Sequence, residues 1–512
     1  MKIALIDVYH QFHFELVKSM RSFTSVSYAI TGTRENWHGS PEVIESLHQE
    51  LFQQVTTNDV TQFLFPDKIL QLLDHPWVLS QQILEKYAPL ESYFLRMTDR
   101  NAVQPISVHQ RRKYYHIILN YFLNLLNTHP VDFAIAFDTP HSSHSFLFYK
   151  LLEDRGIPVI RLEYHFLADH SLMLFGERLP EIPGDFTADA TYDELWQSLP
   201  SSVKKSLSTR NTFTEAYIAK EQKKVIRKGP FFHLQLALKV GKKFAANLIM
   251  GLFPFFFKKE ILHFTSLNNI SSPWVYRRTI NKRLKEFITL QKKYGALATF
   301  PDKSKPFIFL GLHMQPEKTS LPMGKEYDHQ LNAALTLAEA LPKGWTLFVK
   351  EHPNQFNVRK IANLNFRDSF FYKALNSHPN IQLIPLEVDA KELIHHARLV
   401  ATLTGTLGWE ALEAGKPVIV FGDAYYQACK AVALAQSVAD CQQAIADLQG
   451  LTAEKVKWEL LRYLRYYSEK GYIINASNWE EKIESGQISR EIHIQRISKS
   501  IQAFCKSHFD MH

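Results

Sequence analysis

Short apolar runs that alternate with helical patterns dominate the chain and predict parallel β-sheets. In the first half, three such runs are each followed by polar residues and then by a helical pattern: Ile3–Val8, Phe133–Phe137 and Val159–Leu162. Ser145–Asp154 has the apolar spacing of a crossover helix, and Gly156 and Pro158 separate it from the next run. This order predicts right-handed βαβ units, whose ligands bind at the carboxyl ends of the strands.

The second half repeats this order more clearly. Five apolar runs predict strands, namely Phe307–Leu310, Thr346–Lys350, Ile381–Ile384, Leu399–Leu403 and Pro417–Phe421. Helical patterns lie between several of them, at Asp328–Ala340, Ala390–Ala397 and Thr406–Ala414. The fold class predicted from these patterns is therefore α/β, with two Rossmann-like domains that face a cleft.

Four segments describe the expected domain organisation. Residues 1–185 form an N-terminal Rossmann-like domain, and 186–300 form a helical insert and linker without strand signals. Residues 301–450 form a C-terminal Rossmann-like domain. Residues 451–512 are helical and aromatic, and we expect them to pack back on the N-terminal domain.

Composition narrows the protein class. The 512 residues are 46% hydrophobic and 21% charged, which excludes a disordered or fibrous protein. Three cysteines provide neither a disulfide framework nor a cysteine zinc site. The apolar N-terminal run is too short for a signal segment, and the apolar stretch Leu248–Phe257 is interrupted by Gly251 and Pro254. We therefore expect a cytoplasmic protein.

The net charge of +8 suggests an anionic partner, and much of the basic charge lies in residues 223–259 between many phenylalanines. This segment fits either a packed helical insert or a peripheral contact with an anionic membrane surface, at the inner face of the cytoplasmic membrane. Nucleic acid is not expected as a partner, because the basic charge is concentrated in one insert and no nucleic-acid motif is present.

Leu399–Gly422 carries the most informative chemistry. The predicted strand leads into Thr404-Gly405-Thr406 and directly into a helix, whose unpaired N–H groups and positive dipole end suit a phosphate. Glu410 on the same helix suits a ribose diol. The alternative is purely structural: Thr406 caps the helix and Glu410 completes a capping box.

Two further loops follow predicted strands at the same sheet edge. Lys350 offers a point charge and His352 a hydrogen bond to a nucleotide phosphate, and Pro353 stops the strand. Gln315 and Glu317 could orient a sugar hydroxyl, or instead hold an interdomain hinge.

These segments together resemble a known family. Gln315-Pro316-Glu317, Lys350-Glu351-His352-Pro353, the stretch 404–411 and the stretch 415–422 are similar to the bacterial capsule polysaccharide biosynthesis proteins. That family includes Kdo transferases with paired QP and HP motifs. The similarity is good over residues 300–430 and weaker in the N-terminal half, where Phe137–His141 and Gly156–Pro158 resemble the family's first domain.

The resemblance implies a GT-B glycosyltransferase that needs no metal and no cofactor besides its nucleotide-sugar donor. It implies that Lys350, His352, Thr404, Gly405, Thr406 and Glu410 bind the donor nucleotide, with His352 also stabilising the leaving phosphate. Gln315 and Glu317 would lie near the transferred sugar. The acceptor would be a capsular or other surface glycan, free or lipid-linked, and the first donor to test is CMP-Kdo.

The N-terminal half is expected to supply the acceptor face and a catalytic group. Asp138 and His141 follow a predicted strand, and we expect them to act as base, nucleophile or acceptor-binding groups. Asp7, His10 and His13 follow the first strand and are similar candidates. The spacing of Asp138, His141 and His144 also allows a metal site, although a hydrogen-bonded helix entry is the preferred interpretation.

Three alternatives to a glycosyltransferase remain open on sequence grounds. One is a CDP-polyol phosphotransferase of the teichoic-acid type, which also uses a His-Pro motif and a hydroxyl-rich turn before a helix. The second is a non-catalytic GT-B scaffold in capsule assembly. The third is a sugar-nucleotide epimerase, which would need no acceptor.

Overall fold

The chain folds into two α/β units. The computed structural model describes residues 1–32, 37–59, 63, 69, 79–99, 106–165, 167, 169–176, 178–209, 286, 288–356, 366–478 and 489–509. Of these, the residues within 1–99, 106–209 and 462–509 form unit 1, and those within 286–461 form unit 2.

Unit 1 is built around a seven-stranded sheet. Its elements in chain order are β1 (Lys2–Val8), α1 (Gln11–Ser19), β2 (Ser25–Thr31), α2 (Pro41–Phe52), β3 (Thr56–Asp59), α3 (Gln81–Asp99), α4 (Val108–Thr128), β4 (Phe133–Ala136), α5 (Ser143–Asp154), β5 (Val159–Tyr164), β6 (Ser171–Phe175), α6 (Tyr192–Ser198) and α7 (Ser201–Thr209). The strand order is β13-β6-β5-β4-β1-β2-β3. The five strands from β5 to β3 are parallel, as in a Rossmann sheet, and β6 pairs antiparallel with β5.

The C-terminal segment completes unit 1. The two-residue strand β13 (Ile473–Ile474) pairs with β6, and helix α14 (Arg490–His508) packs on α1. Ile497 and Ile501 of this helix are fully buried in the same core as Ile3 and Leu5 of β1. The burial of these aliphatic side chains holds the end of the chain on unit 1.

Unit 2 contains a six-stranded sheet in which every pair of neighbours is parallel. Its elements are β7 (Phe307–Gly311), α8 (Gln330–Glu339), β8 (Thr346–Lys350), α9 (Ser369–Ser377), β9 (Ile381–Ile384), α10 (Ala390–His396), β10 (Leu399–Thr402), α11 (Thr406–Glu413), β11 (Val418–Val420), β12 (Val432–Leu434), α12 (Val438–Leu448) and α13 (Ala453–Glu469). The division between the units falls within α13, after Leu461. The order β12-β11-β10-β7-β8-β9 is the doubly wound Rossmann order.

The predicted α/β class with two Rossmann-like domains is confirmed, and every predicted strand is present to within two residues. The sequence did not reveal β2, β3, β6, β12 and β13. These strands are short, polar in part or located near the sheet edges, so their apolar runs are weak. That the two domains face a cleft stays a prediction.

Residues 223–259 lie outside the described residues. Their two interpretations, a packed helical insert or a peripheral contact with an anionic membrane, stay predictions. Within the part of the chain that the structure describes, no helix is both long and apolar enough to cross a bilayer.

Candidate functional site

The predicted nucleotide-binding residues gather at the switch point of the unit 2 sheet. The chain leaves β7 towards β8 and β9 on one side, and β10 towards β11 and β12 on the other. In open α/β sheets, ligands bind in the crevice outside the carboxyl ends of the two strands at this point. Here those ends lead into the loops that carry His313 and Gln315 on one side and Thr404 and Gly405 on the other.

Lys350 ends β8 and lies on the α11 side of the sheet. Val349 faces the opposite core, so Lys350 faces the other side, as does its register partner Gly311. A Cβ atom at Gly311 would lie 2.3 Å from the Leu407 Cδ2 atom, which places Leu407 of α11 over this part of the sheet. The Lys350 side chain therefore lies on the face of the sheet that carries α11, one strand away from the residue that Leu407 covers.

The Lys350 ammonium group is enclosed but lacks a close counter-ion. The residue is 7% exposed, and its side chain makes no hydrogen bond or ion pair with the residues that the structure describes. Burial lowers the pKa of Lys350 to about 8, against the opposing effect of the Asp389, Glu351 and Glu387 charges. A buried cation of this kind gains most from an anionic ligand.

The first turn of α11 presents main-chain donors at the same edge. The N-cap of α11 is Gly405, which has no side chain that could cap the helix, and Thr406 is the first residue inside it. The alternative in which Thr406 caps the helix and Glu410 completes a capping box is therefore wrong. Among the described residues, the amides of Gly405, Thr406 and Leu407 donate to no acceptor, whereas the next amide bonds the Gly405 carbonyl at 3.1 Å. Three consecutive free amides at a helix N-terminus form an anion site.

The glycines of this turn accommodate protein side chains. A Cβ atom at Gly405 would lie 2.6 Å from His313 Cε1, and one at Gly408 would lie 2.1 Å from the Tyr426 hydroxyl oxygen. That hydroxyl group donates to the Gly405 carbonyl at 2.5 Å. The Thr404 hydroxyl likewise donates to the Thr319 carbonyl at 2.7 Å. These contacts hold the turn in place and leave its main-chain amides, together with the Thr406 hydroxyl group, as donors for a ligand.

His313 is a buried neutral imidazole beneath this turn. The Thr402 hydroxyl lies 2.7 Å from His313 Nε2, and the Thr404 amide donates to the same nitrogen at 3.4 Å. Burial, together with the His352 and Arg367 charges, lowers the pKa of His313 to about 3. The ring therefore stays neutral and accepts through Nε2.

A buried network braces the loop after β7. The side-chain oxygen of Gln315, Oε1, accepts from Gln330 at 2.9 Å and from Arg367 at 2.5 Å. Its side-chain nitrogen, Nε2, donates to the Asp328 carbonyl at 2.7 Å. Gln315 is 4% exposed. Its amide group is thus committed to the framework of the loop, and its predicted contact with the sugar is not part of this arrangement.

The same arginine anchors the loop after β8. Arg367 Nε donates to the Glu351 carboxylate at 2.7 Å, and both side chains are almost completely buried. The Tyr372 hydroxyl group donates to the same carboxylate oxygen at 2.7 Å. The pair Glu351–Arg367, with Gln315, therefore connects the loops that carry the QP and HP motifs.

The remaining predicted residues of unit 2 are half-buried. His352 Nδ1 accepts from the Asn354 amide at 3.1 Å, which leaves Nε2 as the protonated, donating nitrogen. Glu410 lies close enough to Tyr426 for its charge to raise the pKa of that hydroxyl group, which burial raises most. Glu317 opens the short loop to Ser320, whose hydroxyl group donates to the Glu317 carbonyl at 2.8 Å.

Asp138 and His141 belong to unit 1, where they follow β4. Asp138 accepts from the Thr139 amide at 2.9 Å, and His141 Nδ1 donates to the Thr139 carbonyl at 2.9 Å. His144 is buried and stacks on Phe63 with ring centroids 4.5 Å apart, and burial lowers its pKa to about 3. It therefore packs as a core residue on the helix entry, as the preferred interpretation predicts.

Within the described ranges, no group of three or more His, Cys, Asp or Glu residues could hold a metal ion. Metal independence stays a prediction.

Sequence reasoning missed His313, Arg367 and Tyr372. His313 is a polar residue directly after a strand that ends at the switch point, which was a usable signal. Arg367 lies just before α9 and Tyr372 lies within it, and both are distant in the chain from the loops that they hold. Nothing in their local sequence indicates those contacts.

Comparison with known protein families identifies this region. Residues 263–447 match the family described as capsule polysaccharide biosynthesis protein. The match covers a little over a third of the chain and includes the whole switch-point site of unit 2. It confirms the resemblance predicted from the QP and HP motifs. No curated protein matches the chain.

Several solved structures share low similarity with the chain. A UDP-GlcNAc 2-epimerase from Neisseria meningitidis, bound to UDP-GlcNAc, is 11% identical, with 92% of this chain and 99% of the other covered and a TM-score of 0.21. KpsC of Thermosulfurimonas dismutans, a beta Kdo 2,7 transferase, is 12% identical over 74% of this chain and 89% of the other, with a TM-score of 0.29. Similarities at these TM-scores carry no argument about this chain.

Replacing Arg367 with methionine tests the buried network. The change leaves the Glu351 carboxylate buried without its cation, so we expect a loss of about 3–5 kcal/mol in the free energy of unfolding of unit 2. Denaturant unfolding of the full chain measures it. The matched control is Lys303→Met, which removes an exposed partner of Glu392 and should change stability far less. Equal effects of the two variants would contradict the assigned role of Arg367.

Proposed function

We propose that the protein is a glycosyltransferase whose unit 2 binds the phosphate of a nucleotide-sugar donor. The observation that carries the proposal is that three free amides at the start of α11 and the buried Lys350 ammonium group, which makes no ion pair with the described residues, lie at the switch point of one Rossmann sheet. The family match over the same residues supports it.

Each group of the site has a defined part in this proposal. The amides of Gly405, Thr406 and Leu407 hold phosphate oxygens, and Lys350 neutralises their charge. His352 donates through Nε2 to the leaving phosphate, which stabilises the charge that develops as the bond to the sugar breaks. Glu410 accepts hydrogen bonds from the ribose hydroxyls.

The donor class is the first point to test. We expect a nucleotide that binds only the folded state to raise the melting temperature, by a stabilisation of about 2.7 kcal/mol at a hundredfold excess over its Kd. A thermal-shift series with CMP, UDP, GDP and CDP measures it, followed by CMP-Kdo, because the resembling family includes Kdo transferases. Failure of every nucleotide to stabilise the chain would refute the proposal.

The same series separates the alternatives. Turnover of CDP-glycerol but not of nucleotide sugars would identify a polyol phosphotransferase. Conversion of a nucleotide sugar without an acceptor would identify an epimerase. Nucleotide binding with no turnover would identify a scaffold.

Lys350→Met tests the cation. Loss of a charged hydrogen bond is expected to weaken nucleotide binding by about 10–100-fold. The folded state should not suffer, because the charged form of Lys350 is already disfavoured by burial. The control is Lys416→Met, since Lys416 precedes β11 at the opposite edge of the sheet and donates to the Ala397 carbonyl. Titration calorimetry should show the control within about twofold of wild type.

The pKa of Lys350 gives a second readout. The ammonium form predominates below a pKa of about 8, and a bound phosphate stabilises that form, so binding near pH 8 should take up a proton. Affinity should fall as the pH rises above 8. Calorimetry in buffers of different ionisation enthalpy measures the uptake, and pH-independent binding between pH 7 and 9 would exclude Lys350 as the phosphate ligand.

A further inference from the structure

The side chain of His313 is enclosed at the switch point of the unit 2 sheet. It lies in the loop after β7 and is 8% exposed. Its main chain is fixed on both sides. The His313 amide donates to Gln330 Oε1 at 2.7 Å, and its carbonyl accepts from Gln330 at 3.0 Å and from Arg367 at 3.1 Å. The imidazole ring is therefore anchored by a buried framework.

Two contacts determine which ring nitrogen of His313 carries the proton. The Thr404 amide can only donate, and it donates to Nε2 at 3.4 Å. The Thr402 hydroxyl group lies 2.7 Å from the same nitrogen. Burial, with the His352 and Arg367 charges, lowers the pKa of His313 to about 3, so the ring is neutral. A neutral imidazole that accepts through Nε2 carries its proton on Nδ1.

The protonated nitrogen has no acceptor within the described part of the chain. The hydrogen bonds of His313 involve its main chain and Nε2, and none of them involves Nδ1. Nor is Nδ1 one of the fully enclosed polar atoms that lack a partner, so it keeps access to solvent. A nearly buried N–H group of this kind is open to an acceptor that a ligand supplies.

The same nitrogen lies next to the free amides of α11. A Cβ atom at Gly405 would lie 2.6 Å from His313 Cε1 and 3.4 Å from Nδ1, so this edge of the ring faces Gly405. The Gly405 amide is the first of the three free amides, before those of Thr406 and Leu407. Since N–H···O bonds are about 2.9 Å long, donors within about 6 Å of each other can reach one phosphate group.

We propose that His313 binds the phosphate group of the nucleotide through its Nδ1–H group, as a further donor beside the free amides of α11; this proposal rests on the proposed glycosyltransferase function. The two nitrogens then have separate parts, because Nε2 accepts from the turn and Nδ1 donates to the ligand that the turn holds. Since phosphate oxygens are charged, this hydrogen bond is of the stronger, charge-assisted kind. The neutral ring keeps its proton and acts as a binding residue.

His313→Gln removes the proposed donor and keeps the structural acceptor. The Oε1 atom of glutamine can take the place of Nε2 and accept from the Thr404 amide, but no N–H group remains at the place of Nδ1. We expect a melting temperature within about 4 °C of wild type and a nucleotide Kd that is weaker by about 10–100-fold. Titration calorimetry measures the Kd, with whichever of CMP, UDP, GDP and CDP stabilises wild type and with inorganic phosphate.

His313→Asn has the opposite effect. The side-chain amide nitrogen of asparagine can take the place of Nδ1 and donate, but nothing reaches the place of Nε2 to accept from the Thr404 amide. The melting temperature should fall by more than about 4 °C, because that amide loses its acceptor and a cavity forms. The folded protein should still bind the nucleotide within about threefold of wild type. Unchanged affinity in His313→Gln, or an equal loss in both variants, would overturn the proposal.

His493→Asn is the matched control. His493 is a fully buried histidine of α14 in unit 1, and its Nδ1 atom accepts from the Ser477 amide at 2.8 Å. Its Nε2 atom is enclosed without a partner. Asparagine keeps the acceptor and removes the opposite N–H group, as glutamine does at His313. The nucleotide Kd should stay within about twofold of wild type. A loss as large as in His313→Gln would mean that the affinity follows general damage to the fold, against the proposal.

Nuclear magnetic resonance of protein with isotope-labelled histidine gives a readout that a purely structural role would not move. In the free protein, His313 should carry its proton on Nδ1 and none on Nε2. Saturating nucleotide should shift the Nδ1–H resonance and produce a coupling between this proton and the phosphorus nucleus. A proton on Nε2 in the free protein, or an unchanged Nδ1–H resonance in the complex, would contradict the proposal.

The outcomes separate this proposal from the one on which it rests. If wild type binds neither a nucleotide nor inorganic phosphate, the proposed function fails and the role of His313 fails with it. If wild type binds a nucleotide and His313→Gln binds it equally well, only the role of His313 fails.

Discussion

The buried contact between Arg367 and Glu351 is the constraint on which the proposed nucleotide site of unit 2 depends. Arg367 bonds Glu351 in the loop after β8, and it bonds both Gln315 and the His313 carbonyl in the loop after β7. Two loops from neighbouring strands are therefore fixed to one guanidinium group away from water. An isolated charge at either place would be costly to bury, so the pair and its hydrogen bonds must form together.

This framework explains why the site can hold a cation that forms no ion pair with the described residues. Lys350 precedes Glu351 directly, but the Glu351 carboxylate is occupied by Arg367 and Tyr372. The lysine is thus enclosed at this sheet edge without an ion pair to the described residues, although the charges of Asp389, Glu351 and Glu387 act on it. The free amides of α11 lie at the same edge, held by His313 and Tyr426 beneath the turn. Preorganised donors and a buried cation attract phosphate more strongly than the same groups would in water.

The sequence predicted the strands that flank both switch points, the loops that follow them and the residues at their ends, because these features are local. Apolar runs mark the buried parallel strands, and the polar residues that follow them, such as Lys350 and Thr404, must reach the carboxyl edge. It could not predict the role of Gln315, because that depends on contacts with Arg367 and Gln330 that are distant in the chain. Nor could it foresee that Gly405 accommodates His313, since a glycine beside a phosphate turn suits both purposes.

The two units hold a loop beside the switch point of their sheets in a similar way. In each, a buried Arg–Glu pair holds a loop at the carboxyl edge beside the switch point, Arg161 with Glu163 in unit 1 and Arg367 with Glu351 in unit 2. The charged group beside the loop differs in sign: it is the Lys350 ammonium group in unit 2 and the Asp7 carboxylate in unit 1. The left-handed backbone at Asp7, with a φ angle of +63°, persists because the surrounding structure holds it: the buried His13 ring accepts from the Tyr9 amide, and Ser145 donates to the Asp7 carboxylate.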